Sequence, residues 1–151
     1  MSPRGLSPIV GVVSLLAVTV ILSTVVGLSV PTTTMSEPTV ASFEGTAEPN
    51  GEIRITHHAG DPIDPEALDV RIYVNDEPLA EQPPVPFFSA RGFASAPGGA
   101  FNSASSDHWD VGETASLRIA ETNAPAVASG DSVTAQLYAD DHRIAIIEMV
   151  A

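Results

Sequence analysis

The feature that most constrains this chain is a long interval without charge. No ionisable side chain occurs between Arg4 and Glu37, and within that interval Ile9–Val30 is an unbroken run of 22 residues. Fifteen of them are Ile, Val, Leu or Ala, and the others are Gly, Ser or Thr. A helix of this length extends roughly 33 Å, about the hydrocarbon thickness of a bilayer, where every backbone group must be bonded internally. The run therefore predicts one membrane-length helix that ends at Pro31.

Three interpretations of this segment are open. A cleaved secretory signal has a shorter apolar region, of about 7–15 residues, with a small-residue cleavage site after it. A permanent anchor would hold an external domain at the membrane. In the third interpretation the chain is cut before the apolar run, which is then retained. The residues in front of the run favour the third.

Those residues read MSPRGLSPIVG, a short segment with one base that ends at Gly5 directly before the apolar run. This arrangement resembles the class III signal peptide of archaeal type IV pilins, in particular the haloarchaeal pilin N-terminal domain family. The resemblance implies a prepilin peptidase cut between Gly5 and Leu6, with Arg4 and Gly5 as the recognition pair. Bacterial pilins carry a glutamate at the fifth mature position, where this chain has Val10, and archaeal members commonly lack that glutamate.

The resemblance also implies a function. The chain would be a structural subunit of an archaeal type IV pilus-like surface filament, used for adhesion, with copies of itself or related pilins as neighbours. A prepilin peptidase, an assembly ATPase and a membrane platform protein would be its other partners. It would be a single-pass membrane protein before assembly and part of a cell-surface pilus afterwards. The alternatives are an archaellin-type motility subunit and a membrane-anchored or secreted β-sandwich binding domain that never polymerises.

A helix of this kind gains little hydrophobic energy on moving from lipid into a bundle, because lipid tails are already apolar. Cohesion must then come from close packing. Thr19, Ser23 and Gly27 recur every four residues and form one stripe of small side chains, which we name the small-residue stripe. The stripe predicts where neighbouring helices approach, although small residues are also common in membrane helices generally.

Beyond the apolar run the pattern changes to short stretches of period two, which is typical of half-buried strands. Turn-forming residues separate these stretches, among them Pro49-Asn50-Gly51, Asn75-Asp76 and Asp140-Asp141. We expect six to eight strands in an antiparallel, immunoglobulin-like β-sandwich head. The predicted organisation is a cleaved leader at 1–5, an apolar transmembrane or filament-core helix at 6–31, a linker at 32–40 and the head at 41–151. The alternating inward residues are Ile53, Ile55, Val70, Ile72, Val74, Leu117, Ile119, Val133, Ala135 and Leu137.

Two further segments carry predictions. The final stretch, 143–151, is apolar on both faces apart from Glu148, which favours a central strand; alternatively, Ala145, Ile147 and Met149 form an outer face that meets another subunit or the root of the helix. The stretch 89–106 is rich in Gly, Ser and Ala and predicts a long surface loop. Aromatic residues in or beside it are expected to hold it on the sandwich, with an exposed contact surface as the alternative; they are Phe87, Phe88, Phe93, Phe101 and Trp109.

No pattern in the sequence points to catalysis. The segment HHAGDPIDPE, from His57 to Glu66, groups imidazoles with carboxylates, but its spacing fits neither a calcium loop nor a zinc motif and predicts a solvated acidic turn. Asp107-His108 lacks the serine elbow of a hydrolase. We expect no enzyme activity, no metal site and no cofactor.

The chain has 19 acidic residues against six arginines, no lysine and no cysteine, and its net charge is −13. Such a balance argues against nucleic acid as a partner, because phosphate contacts need a cationic patch. Acid excess without lysine resembles the proteins of extreme halophiles. At 1 M salt the Debye length falls to about 3 Å, so crowded carboxylates barely repel. We therefore expect dilution of salt to loosen assembly or destabilise the head.

Overall fold

The computed structural model describes residues 7–29 and 38–151, without side-chain surroundings for 24–29. The chain divides into two compact units, one up to Glu37 and one from Pro38 to Ala151. The first unit contains helix α1, Ser7–Ser29, a single 23-residue element with no acidic residue in its first turn and no basic residue in its last. Every side chain described along it, from residue 7 to residue 23, is exposed.

The second unit is a head of seven strands in two antiparallel sheets. A three-stranded sheet has the order β1-β2-β5, and a four-stranded sheet has the order β4-β3-β6-β7. This confirms the prediction of an antiparallel β-rich head with six to eight strands. In chain order the strands are β1 Ala41–Ala47, β2 Glu52–Gly60, β3 Leu68–Val74, β4 Glu77–Pro78, β5 Thr114–Arg118, β6 Ser132–Ala139 and β7 His142–Val150.

The predicted turns join these strands. Asn75-Asp76 connects β3 to β4 and Asp140-Asp141 connects β6 to β7, and all four residues have a positive φ. Asn and Asp tolerate this left-handed conformation better than other non-glycine residues, which is why they occur in tight hairpins. The turn at Gly51, which also has a positive φ, joins β1 to β2.

Both sheets contribute their inward residues to one hydrophobic core. All ten residues predicted to point inward are buried, at 5% exposure or less. Period-two alternation identified them because successive side chains of a strand face opposite sides of the sheet. The core also contains Trp109 and Phe101, which lie outside the strands and are completely buried.

The last strand corrects one prediction. β7 pairs only with β6 and is an edge strand rather than a central one. Ile147 and Met149, suggested as an outer face, are buried at 7% and 5% exposure, and Ala145 is half-buried. The stretch is apolar on both faces because its inner side meets the core while Ile146 and Val150 remain exposed on the outer side.

The loop at 89–106 contains no strand longer than a single bridge, as predicted. Phe87 and Phe101 are buried, and Phe93 packs against the core and lies 5.4 Å from Phe87 between ring centroids. These rings hold the loop on the head. Phe88 does not, because it is 65% exposed.

A buried asparagine also forms a hydrogen bond with the loop at 89–106. Asn123 is 4% exposed. Its amide nitrogen donates to the carbonyl oxygens of Glu81 and Gly92, at 2.9 and 3.2 Å. Its oxygen accepts from the backbone N–H groups of Glu81 and Ala124, at 3.1 and 3.0 Å. All its polar atoms are satisfied, so a polar side chain is stable in the interior.

Candidate functional site

The predicted processing residues Arg4, Gly5 and Leu6 lie outside the described residues. The small-residue stripe lies within α1, although for Gly27 only the helical backbone is described. The Thr19 hydroxyl donates to the carbonyl oxygen of Leu15, and the Ser23 hydroxyl donates to that of Thr19, both at 2.8 Å. Bonds of this kind satisfy hydroxyl donors within the helix itself. The stripe therefore presents no unbonded hydroxyl hydrogen to a neighbour.

The surface of α1 is dominated by aliphatic side chains that are at least half exposed. They point in every direction around the helix axis, since they occur at consecutive as well as at third and fourth positions. None of the 23 residues is ionisable. The exposed aliphatic residues include Ile9, Val10, Val12, Val13, Leu15, Leu16, Val18 and Leu22.

Across residues 7–29 and 38–151, no helix qualifies as both long enough and apolar enough to cross a membrane.

His57 corrects the prediction of a solvated turn at HHAGDPIDPE. It lies in β2, continues the inward alternation of Ile53 and Ile55, and has no exposed surface. Its ring stacks on Phe43 with a centroid separation of 5.0 Å, and its Nδ1 lies 3.0 Å from the carbonyl oxygen of Trp109. That contact requires the proton on Nδ1, because a carbonyl oxygen only accepts. The sequence could have predicted this burial, because residue 57 continues the period-two alternation of Ile53 and Ile55.

The other ionisable residues of that segment are exposed, as predicted for an acidic turn, whereas Ile63 and Pro65 are buried. Asp61 accepts from the backbone N–H of Val40 at 3.1 Å, and Asp64 accepts from that of Glu66 at 2.8 Å. These carboxylates therefore stabilise the local backbone. Nowhere in the described ranges do three His, Asp or Glu side chains converge as a metal site would require. Asp107 and His108 are exposed loop residues.

The outer face of the three-stranded sheet carries an ion-pair network. Glu52 accepts from Arg118 at 3.0 Å and from Arg54 at 2.6 Å. Hydrogen bonds from Arg118, and then from Arg54, hold the pKa of Glu52 below its usual value. A trough of about 670 Å³ runs beside this network and reaches Glu148 of β7. Its other polar side chains are threonines, Glu44 and Arg54, so it offers no catalytic group besides carboxylates and a guanidinium.

The outer face of the four-stranded sheet is different in composition. Arg71 donates to Asp69 at 2.8 Å, and its guanidinium lies 4.6 Å from the centre of the Tyr138 ring. Ile146 and Val150 are 48% and 71% exposed. Register places Arg71, Gln136 and Ile146 in one row across the sheet. The sequence did not single out this surface, because which side of β7 faces solvent depends on how the two sheets pack.

No protein-family model matches the chain, and no curated protein matches it either.

Proposed function

We propose that this chain is a structural subunit of an archaeal type IV pilus-like filament, with α1 in the filament core and the β-rich head outside. The observation that carries the proposal is the combination in α1 of 23 uninterrupted helical residues, no charge and exposed aliphatic side chains along residues 7–23. The head has a hydrophobic core of its own, and α1 belongs to the other compact unit.

Burial of α1 among copies of itself has a large energetic effect in water. Each larger aliphatic side chain that leaves water contributes on the order of 1.5–3 kcal/mol. The aliphatic residues surround the helix, so several neighbours are needed to cover them, as in the core of a helical filament. A single partner would cover one side only.

The small-residue stripe supports close packing in such a core. Small side chains allow neighbouring backbones to approach, and the internally bonded hydroxyls of Thr19 and Ser23 add no unsatisfied donor to an apolar interface. We propose that Thr19, Ser23 and Gly27 line contacts between helices.

The strand order of the head supports an immunoglobulin-like sandwich. Strands β1, β2 and β5 form one sheet and β4, β3, β6 and β7 form the other, so the chain crosses between sheets after β2, β4 and β5. Such crossings between two packed antiparallel sheets are typical of Greek-key sandwiches. A head of this kind is consistent with adhesion or display outside the cell.

Processing, location and partners complete the proposal. A prepilin peptidase cuts between Gly5 and Leu6, and an assembly ATPase and a membrane platform protein act on the mature subunit. The subunit is a single-pass membrane protein before assembly and lies in a surface filament afterwards. We propose no enzymatic activity, no cofactor and no nucleic-acid partner.

The mature N-terminus tests this proposal. Mass spectrometry of the surface-exposed protein should find a chain that starts at Leu6. Gly5→Val should abolish processing, because a bulky side chain occupies the recognition position, whereas Gly11→Val, within α1, should leave the cut unchanged. A start at Met1 or Ser2 would instead indicate a simple anchor, and a start near residue 30 an ordinary secreted domain; either would overturn the proposal.

Imaging of a deletion strain separates the two filament functions. Loss of thin adhesive filaments with motility retained supports a pilin. Loss of swimming with adhesion retained would identify an archaellin-type subunit instead.

A further inference from the structure

Two charged side chains of β7 have no ion-pair partner within the described part of the head. The other arginines of the head bond to carboxylates: Arg54 and Arg118 to Glu52, Arg71 to Asp69 and Arg91 to Glu81. Arg143 forms no such pair, and neither does Glu148. Both side chains are exposed.

Arg143 and Glu148 share the outer face of the four-stranded sheet. Arg143 is opposite Tyr138 in the register with β6, and Glu148 is opposite Thr134. Ile146 lies between them, opposite Gln136. The strand thus presents a base, an exposed aliphatic residue and an acid in order along one face.

The outer face of the four-stranded sheet exposes aliphatic side chains, whereas the outer face of the three-stranded sheet is polar. Ile146 and Val150 are exposed, and the same outer face presents two half-buried tyrosines, Tyr138 on the adjacent strand β6 and Tyr73 on β3. The outer face of the three-stranded sheet presents threonines at the equivalent central positions, namely Thr46, Thr56 and Thr114. Aromatic residues and arginine are enriched at protein interfaces.

The charge distribution favours contact through the sheet faces. Strands β1, β2, β3, β5, β6 and β7 together contain four acids and four arginines. Of the 19 acids, Glu37 precedes the head, so 14 remain outside those strands, with Arg91 as the only arginine among them. The net charge of −13 therefore comes from the loops, the turns and β4. Two copies meet with least repulsion through a neutral face.

We propose that the outer face of β7 binds the same face of a second copy of this chain around a two-fold axis. If the two β7 strands run antiparallel with the axis between Ala145 and Ile146, Arg143 of each copy is opposite Glu148 of the other. Two equivalent ion pairs then form between the copies, one on each side of the axis, and the two Ile146 side chains lie beside the axis. In an isologous interface both subunits use the same surface, so each contact between two different residues occurs twice.

This contact goes beyond the proposed function. Subunits that share one direction along a filament are related by head-to-tail contacts, which contain no two-fold axis. The β7 contact would join heads of two neighbouring filaments, or two unassembled subunits. It depends only on the head, so it stands or fails independently of how α1 packs.

Disulfide trapping in the full chain tests the contact, since the chain has no cysteine of its own. Ile146→Cys places a thiol beside the proposed axis, and Thr46→Cys is the control on the other sheet. Under mild oxidation in detergent, in about 1 M salt to screen the acidic loops, Ile146→Cys should form covalent dimers about tenfold faster than Thr46→Cys. Association through α1 would raise both rates equally.

Charge reversal then identifies the pairing. In the Ile146→Cys background, Arg143→Glu should slow dimer formation about tenfold, because two acids face each other. Adding Glu148→Arg should restore it, since the opposite pair is rebuilt with the signs exchanged. Equal trapping at positions 46 and 146, or a reversal without effect or without rescue, would overturn the proposal. All positions are exposed, and unfolding curves verify that each variant is folded.

Discussion

At the scale of single residues, Glu52 and Asp131 show how carboxylates stabilise this head. Glu52 accepts from two arginines on the outer face of the three-stranded sheet. The Asn75 amide donates to Asp131 at 2.9 Å and, with the backbone N–H of Ala128, holds the pKa of Asp131 below its usual value. Both carboxylates are therefore bonded in their ionised forms, and their contribution depends on pH.

The Glu52 network predicts a defined loss of stability in acid. Because its pKa is lowered from 4.5 on folding, Glu52 contributes fully above about pH 4.5, and the contribution is lost as pH falls through the lower folded value. We expect Glu52→Gln to reduce stability near neutral pH, with the difference from the parent shrinking as the pH falls below 4.5 through the lowered folded value. Urea unfolding at a series of pH values measures this.

The control for this experiment is Glu44→Gln. Glu44 lies on the same outer face, in β1, and has no ion pair in the described structure. If the Glu44 and Glu52 variants lose the same stability over the same pH range, the arginine network is not the cause.

His57 shows what one residue contributes to the core. It packs against the rings of Phe43 and Trp109, with centroid separations of 5.0 and 6.0 Å, and those two rings also contact each other at 5.0 Å. Its backbone N–H donates to the carbonyl oxygen of Glu113, and its own carbonyl accepts from Gly112. His57 thus fastens the turn at 109–113 to β2 through both its backbone and its ring.

At the scale of elements, the close approach of β1 and β7 depends on a glycine. A Cβ atom at Gly45 would lie 2.6 Å from Cγ2 of Ile147 and 2.7 Å from Sδ of Met149. The methionine can rotate, but the isoleucine is branched at Cβ and has little freedom. The φ of Gly45 is not positive, so the backbone conformation at this position does not require a glycine. The glycine is required because a side chain there would collide with β7.

Gly45→Val should reduce the free energy of unfolding by about 1–3 kcal/mol, the usual cost of overpacking. The measurement is chemical denaturation of the variant and of Thr46→Val, whose side chain faces solvent and should change stability by no more than about 0.5 kcal/mol. Combining Gly45→Val with Ile147→Ala should cost less than the sum of the single changes. Additive costs would show that Ile147 is not what the new side chain meets.

The edge of the four-stranded sheet is protected by a side chain. Strand β4 contains only two residues, so β3 has little backbone to pair with on that side. The Gln82 amide oxygen accepts from the N–H of Ile72 at 2.7 Å, and its nitrogen donates to the Ile72 carbonyl at 2.9 Å. Gln82 thus replaces a missing strand partner and blocks a site for unwanted strand addition.

At the scale of the whole molecule, the dominant property is segregated charge. The sheet strands other than β4 are balanced, while the remainder of the head carries 14 acids and one arginine. Carboxylates crowded in loops repel one another at low ionic strength. The strands are nearly neutral and the loops and turns are acidic. This separation depends on which residues the fold places in strands and which in loops.

Salt should therefore stabilise the protein. We expect the thermal unfolding midpoint to rise between about 0.05 M and about 1 M salt, as the Debye length falls from about 14 Å to about 3 Å. Surface filaments, if formed, should loosen at the lower concentration. Sodium chloride and potassium chloride should act alike if screening is responsible. A midpoint that does not change with salt would contradict this explanation.

Much of the head follows from the sequence alone. Period two identified the inward residues of the strands, and turn chemistry located Asn75-Asp76 and Asp140-Asp141, because both are local properties of the chain. The charge-free interval before Glu37 likewise predicted one helix, and α1 lies within it. Membrane insertion, processing at Gly5 and filament assembly stay predictions from sequence.

Only the tertiary structure decided which surfaces are free. It placed β7 at an edge, turned Ile147 and Met149 inward, left Ile146 beside two unpaired charges, and buried His57 among aromatic rings. Local sequence cannot determine these outcomes, because they depend on strands far apart in the chain. The pattern of a strand specifies that it has two faces; its neighbours in space determine which of them is covered.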